Sequence, residues 1–359
     1  MTVTARQHPR ADHRIPGLDG LRGLAALYVL VHHCWLLSFR GYPANTGPAW
    51  LGWLVHGRLA VVVFITLSGF SLAISPARSG WRLDGILRYA RRRARRVLPA
   101  YWAALVISAL IATIVPSLPL SAAPTLHSMV VYGLLLQDAV AAPAPNGAFW
   151  SIAVEAGLYL AFPLMILARR RAGATATLAS VALPVVVAGL LCPGLSTRSR
   201  ATGYTLELAP LFTLGMVAGG IVAAGERIRR LPWLTLAGLA AAPVLTLITV
   251  RGSTWTVTHY YWVDLAAGPA IALLLVSLAV RPVPLLDRAP IQAVGKSSYS
   301  LYLIHMPIVA LISTLIVAPG GGSHLTVFAI TVALTTPVCL TTARLFAAVF
   351  EIPFTDLRR

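Results

Sequence analysis

Acidic residues are scarce in this chain: 11 aspartates and glutamates stand against 29 lysines and arginines in 359 residues, a formal net charge of +18. Lysine is nearly absent too, Lys296 being the single one, so arginine carries the positive charge. Charged residues of both signs make up 11% of the chain and hydrophobic residues 57%, which excludes a soluble protein with one core and leaves a polytopic membrane protein. In a soluble chain such a charge would suggest nucleic acid. Here the arginines sit in short clusters between apolar runs of membrane-spanning length, so nucleic acid is excluded as a partner, and the bilayer and acidic cytoplasmic ligands are expected instead. The three cysteines, Cys34, Cys192 and Cys339, lie far apart in or beside apolar runs. They give neither a disulfide framework nor a metal-ligand spacing, and no metal is expected. No repeat of fixed period is visible, and no polar stretch is long enough for a soluble domain. One membrane domain is expected to use residues 1–359, its first 15 forming a polar cytoplasmic tail.

What is present is an all-α pattern of about ten spans. They are read over residues 18–39, 59–74, 97–115, 150–168, 174–192, 206–223, 231–250, 260–280, 298–317 and 324–349. The segment 126–142 is apolar but short and contains His127, Gln137 and Asp138. Were it to span, Arg169, Arg170 and Arg171 would fall outside, so it is read as re-entrant or interfacial. Pro16-Gly17 breaks the chain before the first span, which lacks a small-residue cleavage site and is read as uncleaved. With both termini cytoplasmic, 22 lysines and arginines lie inside and five outside, namely Arg40, Arg58, Arg198, Arg200 and Arg251; Arg22 and Arg344 lie within spans. The asymmetry is the one that orients membrane proteins.

The first span carries the clearest chemical signal. Arg22 and His33 are eleven residues apart, and eleven steps of about 100° return within roughly 20° of the same helix face. Asp19 falls near that stripe. Ionisable residues inside a span mark a functional site by default. Counted at 1.5 Å per residue, Arg22 lies within about one turn of the inner end of its span, and His33 about 22 Å from Leu18, in the outer half. Glu155 lies one to two turns from the outer end of its own span, so the two counts put His33 and Glu155 at similar depth. A neutral imidazole there can take a proton from a hydroxyl or act as a nucleophile, with a carboxylate to orient it. Arg22 and the cluster Arg88–Arg96 face the cytoplasm, where guanidinium forks suit phosphate oxygens.

Four further stretches accompany this one: LSGF at 67–70, RRRARRVLPAYW at 91–102, FWSIAVEAGLYLAFPL at 149–164 and GKSSYSLYLIHMP at 295–307. In this order, with the Arg and His of the first span, they resemble the membrane-bound acyltransferase family 3, which O-acylates surface polysaccharides, some lipids and some macrolides. The resemblance covers nearly the whole chain. It implies an enzyme that moves an acyl group, acetyl foremost, from cytoplasmic acyl-coenzyme A to a hydroxyl of a sugar-containing or lipid-linked acceptor. It also implies a bacterial cytoplasmic membrane location. By position, the family's site residues fall on Arg22, His33 and Glu155 for catalysis and on Arg92, Arg93, Arg95 and Arg96 for the donor. Asp19, Trp150, Ser151, Tyr302 and His305 are substrate-facing or structural. Two departures are visible: Val62 stands where many members carry a polar or acidic residue, and Ala156 where many carry a second Glu.

Plainer readings stay open beside these. Arg22 also suits a snorkelling residue, the arginine cluster suits orientation alone, Glu155 suits a structural ion pair, and His305 suits a hydrogen bond between helices. Cys34, beside His33, reads as a buried thiol. A transporter for a polar metabolite is the alternative from another class, because ionisable stripes also mark substrate pathways.

Overall fold

The computed structural model describes residues 15, 17–194, 205–225 and 231–355. The tail arginines Arg6, Arg10 and Arg14, the break at Pro16, the outer-side Arg198 and Arg200 and the inner-side Arg227, Arg229, Arg230, Arg358 and Arg359 lie outside these residues. Among the described residues every regular element is helical. In chain order they are α1 (Leu18–Ser38), a 3-10 turn (Ala49–His56), α2 (Arg58–Arg78), α3 (Ile86–Ile114), α4 (Leu126–Gly133), α5 (Trp150–Leu191) and α6 (Leu208–Ala223). Then follow α7 (Trp233–Thr258), α8 (Tyr260–Val280), α9 (Ala289–Lys296), α10 (Ser298–Leu311) with its π-helical (Ile312–Val317) and 3-10 (Ala318–Gly320) continuation, α11 (His324–Phe350) and the short α12 (Ile352–Thr355). Eight helical segments, the one from Ser298 counted through to Gly320, are long and apolar enough to cross a membrane, and the chain is a polytopic helical membrane protein.

The remaining two sequence-predicted spans correspond to the second half of α5 and to α6, an apolar helix of 16 residues. Residues 150–168 and 174–192 form one 42-residue element whose two halves meet at Gly173. That residue has φ 88° and ψ 178°, left-handed backbone that a side chain would strain. The expected loop between the second and third spans is mostly helix. Gly85, at φ 86°, ends the connection, and α3 starts at Ile86 rather than near residue 97. Arg, Ala and Leu are good helix formers, so the arginine cluster becomes the first turns of α3 and its side chains acquire fixed faces. α4 has eight residues, about 12 Å of helix, too short to cross.

Backbone contact through glycine sets the two closest helix approaches. α2 packs along α6, where a side chain on Gly69 would run into the Phe212 carbonyl oxygen, one on Gly215 into that of Thr66 and one on Gly219 into that of Phe70. The start of α1 packs on α9 in the same way, Gly20 against Leu286, Gly23 against Gly295 and Gly295 against Asp19. Without a hydrophobic drive between helices in lipid, such small-residue contact is what lets the helices pack. Gly215→Val is therefore expected to destabilise the protein by about 1–3 kcal/mol. The equivalent change at Gly157, which has open space, should not; unfolding midpoints of the two variants in detergent check this, and equal midpoints would contradict it.

Candidate active site

α2 lines one long cavity with a single face. Val61, Phe64, Ile65, Ser68, Ser71, Leu72, Ser75 and Ser79 recur every three or four residues and all border a cavity of about 580 Å³. From Val61 to Ser79 the wall is about 27 Å long. It changes character along the way. At the Ser79 end the opposing walls supply Asp19, Arg22, Arg93 and Arg96, joined by Arg78 of α2; at the Val61 end they supply Ile152, Ser151 and Tyr302; Glu155 and Tyr159 stand between. A second space of about 570 Å³ adjoins the basic end, sharing Ser71, Ser75, Ser79 and Arg93 and adding Arg82, Arg92 and Tyr89.

The helical geometry of α3 sorts the arginine cluster. Residues 92, 93 and 96 fall within about 100° of one another, while residue 95 lies about 60° beyond 92, outside that arc and about 160° from 93. Accordingly Arg93 and Arg96 line the first cavity and Arg92 and Arg93 the second, whereas Arg95 is exposed and lines neither of these two. The sequence grouped all four; the structure gathers three. Arg22 is fixed by donating to Asp19 Oδ1 (3.1 Å) and Ser71 Oγ (2.9 Å), and Arg93 lies over the Tyr159 ring, 5.9 Å from its centroid.

Glu155 sits with this arginine group and not beside His33. Its Oε1 accepts from Ser68 Oγ (2.6 Å) and from the Tyr159 hydroxyl. Along α2, Ser68 is three residues from Ser71, the partner of Arg22, and eleven from Gly57, whose Cα abuts the His32 ring. Those counts are about 4.5 Å and about 16 Å respectively. The similar level expected from sequence is not what the contacts give: Glu155 meets α2 at Ser68, well along the helix from Gly57. The stretch just before α5 is buried: Asn146, 1% exposed, donates to Ser108 Oγ (3.2 Å) and the Leu303 carbonyl (3.1 Å), and Ala148 and Phe149 are 2% and 0% exposed, so the helix starts inside the protein.

His33 is paired instead with His305, Nδ1 to Nε2 at 3.1 Å. His305 Nδ1 lies 2.8 Å from the Tyr302 carbonyl oxygen, which can only accept, so that nitrogen carries the proton and neutral His305 presents a lone pair at Nε2. His33 Nδ1 then donates to it and to the Val29 carbonyl (2.8 Å), leaving Nε2 of His33 as the basic nitrogen. His305 is 1% exposed and His33 only half-buried. The Tyr302 ring, 5.7 Å from that of His305, joins the pair to the cavity wall. Tyr302 donates to the Ala148 carbonyl (3.1 Å), so Ser151, 2.7 Å away, donates to Tyr302. Cys34 is buried against Thr335.

Sequence reasoning missed three groups. Ser68 lies in the LSGF stretch, which carried the resemblance but no assigned role, and Tyr159 lies one turn beyond Glu155 on the same helix. The third is a buried ion cluster. Arg58, assigned by the sequence to the outer loop, is 5% exposed and bonds Asp264 Oδ2 (2.6 Å) and Glu207 Oε1, with its Cζ 4.9 Å from the Trp150 ring centroid and 5.4 Å from that of Tyr260. The signal was there: two acids in apolar runs require a cation. Arg58→Ala strands both carboxylates and is expected to destabilise the protein by about 3–5 kcal/mol. Adding Glu207→Gln and Asp264→Asn should recover most of that loss in a thermal unfolding series, and no recovery would contradict the pairing.

Helices that enclose a cavity basic at one end and apolar at the other, with a histidine pair behind its end wall, define a membrane protein built around an internal site for an amphipathic ligand. Residues 15–344 match the profile of the Acyl_transf_3 family, described as an acyltransferase domain, and the chain belongs to that family. It is an integral-membrane acyltransferase. Acyltransferase MdmB of Streptomyces mycarofaciens is 28% identical over 320 residues, 82% of this chain and 79% of that one. O-acetyltransferase OatA of Staphylococcus aureus (strain NCTC 8325 / PS 47) is 27% identical over 339 residues, 84% of this chain and 51% of its own. YrhL of Bacillus subtilis (strain 168), named as a candidate peptidoglycan O-acetyltransferase, is 26% identical over 339 residues, 85% and 50%. The chain thus spans about half the length of OatA and YrhL. No solved structure matches it.

Proposed function

We propose that this enzyme moves an acetyl group from cytoplasmic acetyl-coenzyme A to a hydroxyl on a sugar-bearing acceptor, a cell-surface glycan, glycolipid or glycosylated metabolite, in a bacterial cytoplasmic membrane. Both termini and the arginine end of the cavity face the cytoplasm in this reading. The observation that carries it is the gradient along α2, from serines and arginines at Ser79 to Val61, Phe64 and Ile152. Acyl-coenzyme A has the same polarity, anionic phosphates at one end and an apolar acyl group at the other. Relatives named O-acetyltransferases support acetyl and an oxygen acceptor, and the peptidoglycan in the name of YrhL supports a glycan.

Each residue then has a task. Arg22, Arg93 and Arg96, with Arg92 beside them, hold phosphate oxygens through charge-assisted hydrogen bonds. Glu155, its Oε1 fixed by Ser68 and Tyr159, offers a carboxylate midway along the cavity to the amide N–H groups of the pantetheine arm. Tyr302 and Ser151 close the deep end and keep water from the thioester until the acceptor arrives. The acceptor hydroxyl loses its proton to His33 Nε2 as its oxygen attacks the thioester carbon. The carbon–sulfur bond breaks, the ester forms, and the imidazolium returns the proton to the departing thiolate. His305 and the Val29 carbonyl hold His33 in the tautomer this requires.

Membranes supplied with labelled acetyl-coenzyme A test the reading. The label is expected to end covalently on an acceptor, and label that crosses the membrane without a covalent product would contradict it in favour of transport.

A further inference from the structure

We propose that Phe64 sets the length of the acyl group that the cavity accepts, an inference that rests on the acyl-coenzyme A reading. The deep end of the cavity is walled by Val61, Phe64, Ile65, Ile152 and the Tyr302–Ser151 pair. Those side chains are not equally free to yield. Val61, Ile65 and Ile152 are 5%, 2% and 3% exposed and belong to the main apolar core, so their far sides are packed. Tyr302 is pinned through its hydroxyl to Ser151 and Ala148. Phe64 has no polar atom and is only partly buried, and its ring stands edge-on to that of Tyr302, centroids 5.8 Å apart at 74°. It forms the part of the end wall held by packing alone.

The acyl group is the apolar terminus of the donor, so in this reading it lies at the apolar terminus of the cavity, with its last carbon toward the Phe64 and Tyr302 rings. Each methylene that an apolar pocket accepts or rejects changes binding about tenfold or more. Shortening Phe64 opens space continuous with the cavity, where a longer chain gains burial, and leaves every hydrogen bond of Tyr302 and Ser151 in place. Enlarging it takes space from the acetyl site itself.

The test is a ladder of donors on the full-length protein in lipid nanodiscs. Affinities of acetyl-, propionyl-, butyryl- and hexanoyl-coenzyme A are measured for the unaltered protein and for Phe64→Ala, Phe64→Leu and Phe64→Trp. The butyryl-to-acetyl affinity ratio is expected to rise about tenfold or more in Phe64→Ala and by a smaller factor in Phe64→Leu. In Phe64→Trp the propionyl-to-acetyl ratio is expected to fall. Leu and Trp change the site in opposite senses, so a Phe64→Ala protein that does not assemble still leaves both directions measured. Variants that bind acetyl-coenzyme A with an unchanged chain-length profile would overturn the role of Phe64 and leave the donor reading standing. An unaltered protein that binds none of the four donors would overturn the donor reading and this inference with it.

Discussion

His33→Ala is expected to lower acyl transfer by about two to four orders of magnitude while the amount of protein in the membrane stays the same. The loss follows from the one proton that must move. An acceptor hydroxyl is a poor nucleophile until a base takes its proton, and the His305 and Val29 contacts at Nδ1 place the basic lone pair of neutral His33 on Nε2. The effect on folding is expected to be small because the half-buried ring contributes little packing and the fully buried His305 keeps its bond to the Tyr302 carbonyl. Transfer assays normalised to membrane protein check this. Full activity in the variant would remove His33 from the chemistry.

Arg93→Ala and Arg96→Ala should each weaken acetyl-coenzyme A binding about tenfold or more, and Arg95→Ala by less than about twofold. A charge-assisted hydrogen bond is worth about 1.5–3 kcal/mol, which corresponds to that range. All three residues carry the same charge within one turn of α3, so a role in orientation alone would make them equivalent. Position separates them: residues 93 and 96 face the cavity and residue 95 faces away. Donor titration on purified variants provides the measurement. Three equal losses, or a change in membrane orientation with affinity unchanged, would favour the plainer reading of the cluster.

Much of this was legible in the chain before any coordinates. Apolar runs of span length are a strong signal, and Arg22, His33 and the late SYSLYLIH stretch stand out because lipid tolerates few polar groups. Side-chain spacing on one helix also survives folding, and the Arg22 to His33 relation needed only the helical period. What failed was every step that assumed a helix begins where the bilayer begins. Glu155 was counted inward from an assumed edge, whereas the residues just before α5 are held inside the protein through Asn146. Arg58 was placed in an outer loop for the same reason, although α2 starts beside the buried Asp264 and Glu207. Pairings between distant segments, His33 with His305 and Ser68 with Glu155, depend on which helices become neighbours. Backbone contacts at Gly69, Gly215 and Gly295 decide that, and a single sequence shows those residues as glycines without naming the surfaces they meet.

In the proposed mechanism the donor enters from the face that carries the arginine end of the cavity, and sealed vesicles of defined orientation test this most directly. Acetyl-coenzyme A labelled in the acetyl group is given to one face only, and covalent label on the acceptor is measured. Transfer is expected when the donor meets the face that carries the arginine end of α3, and not when it meets the other. Equal transfer from either face, or label recovered across the membrane with no covalent product, would contradict it.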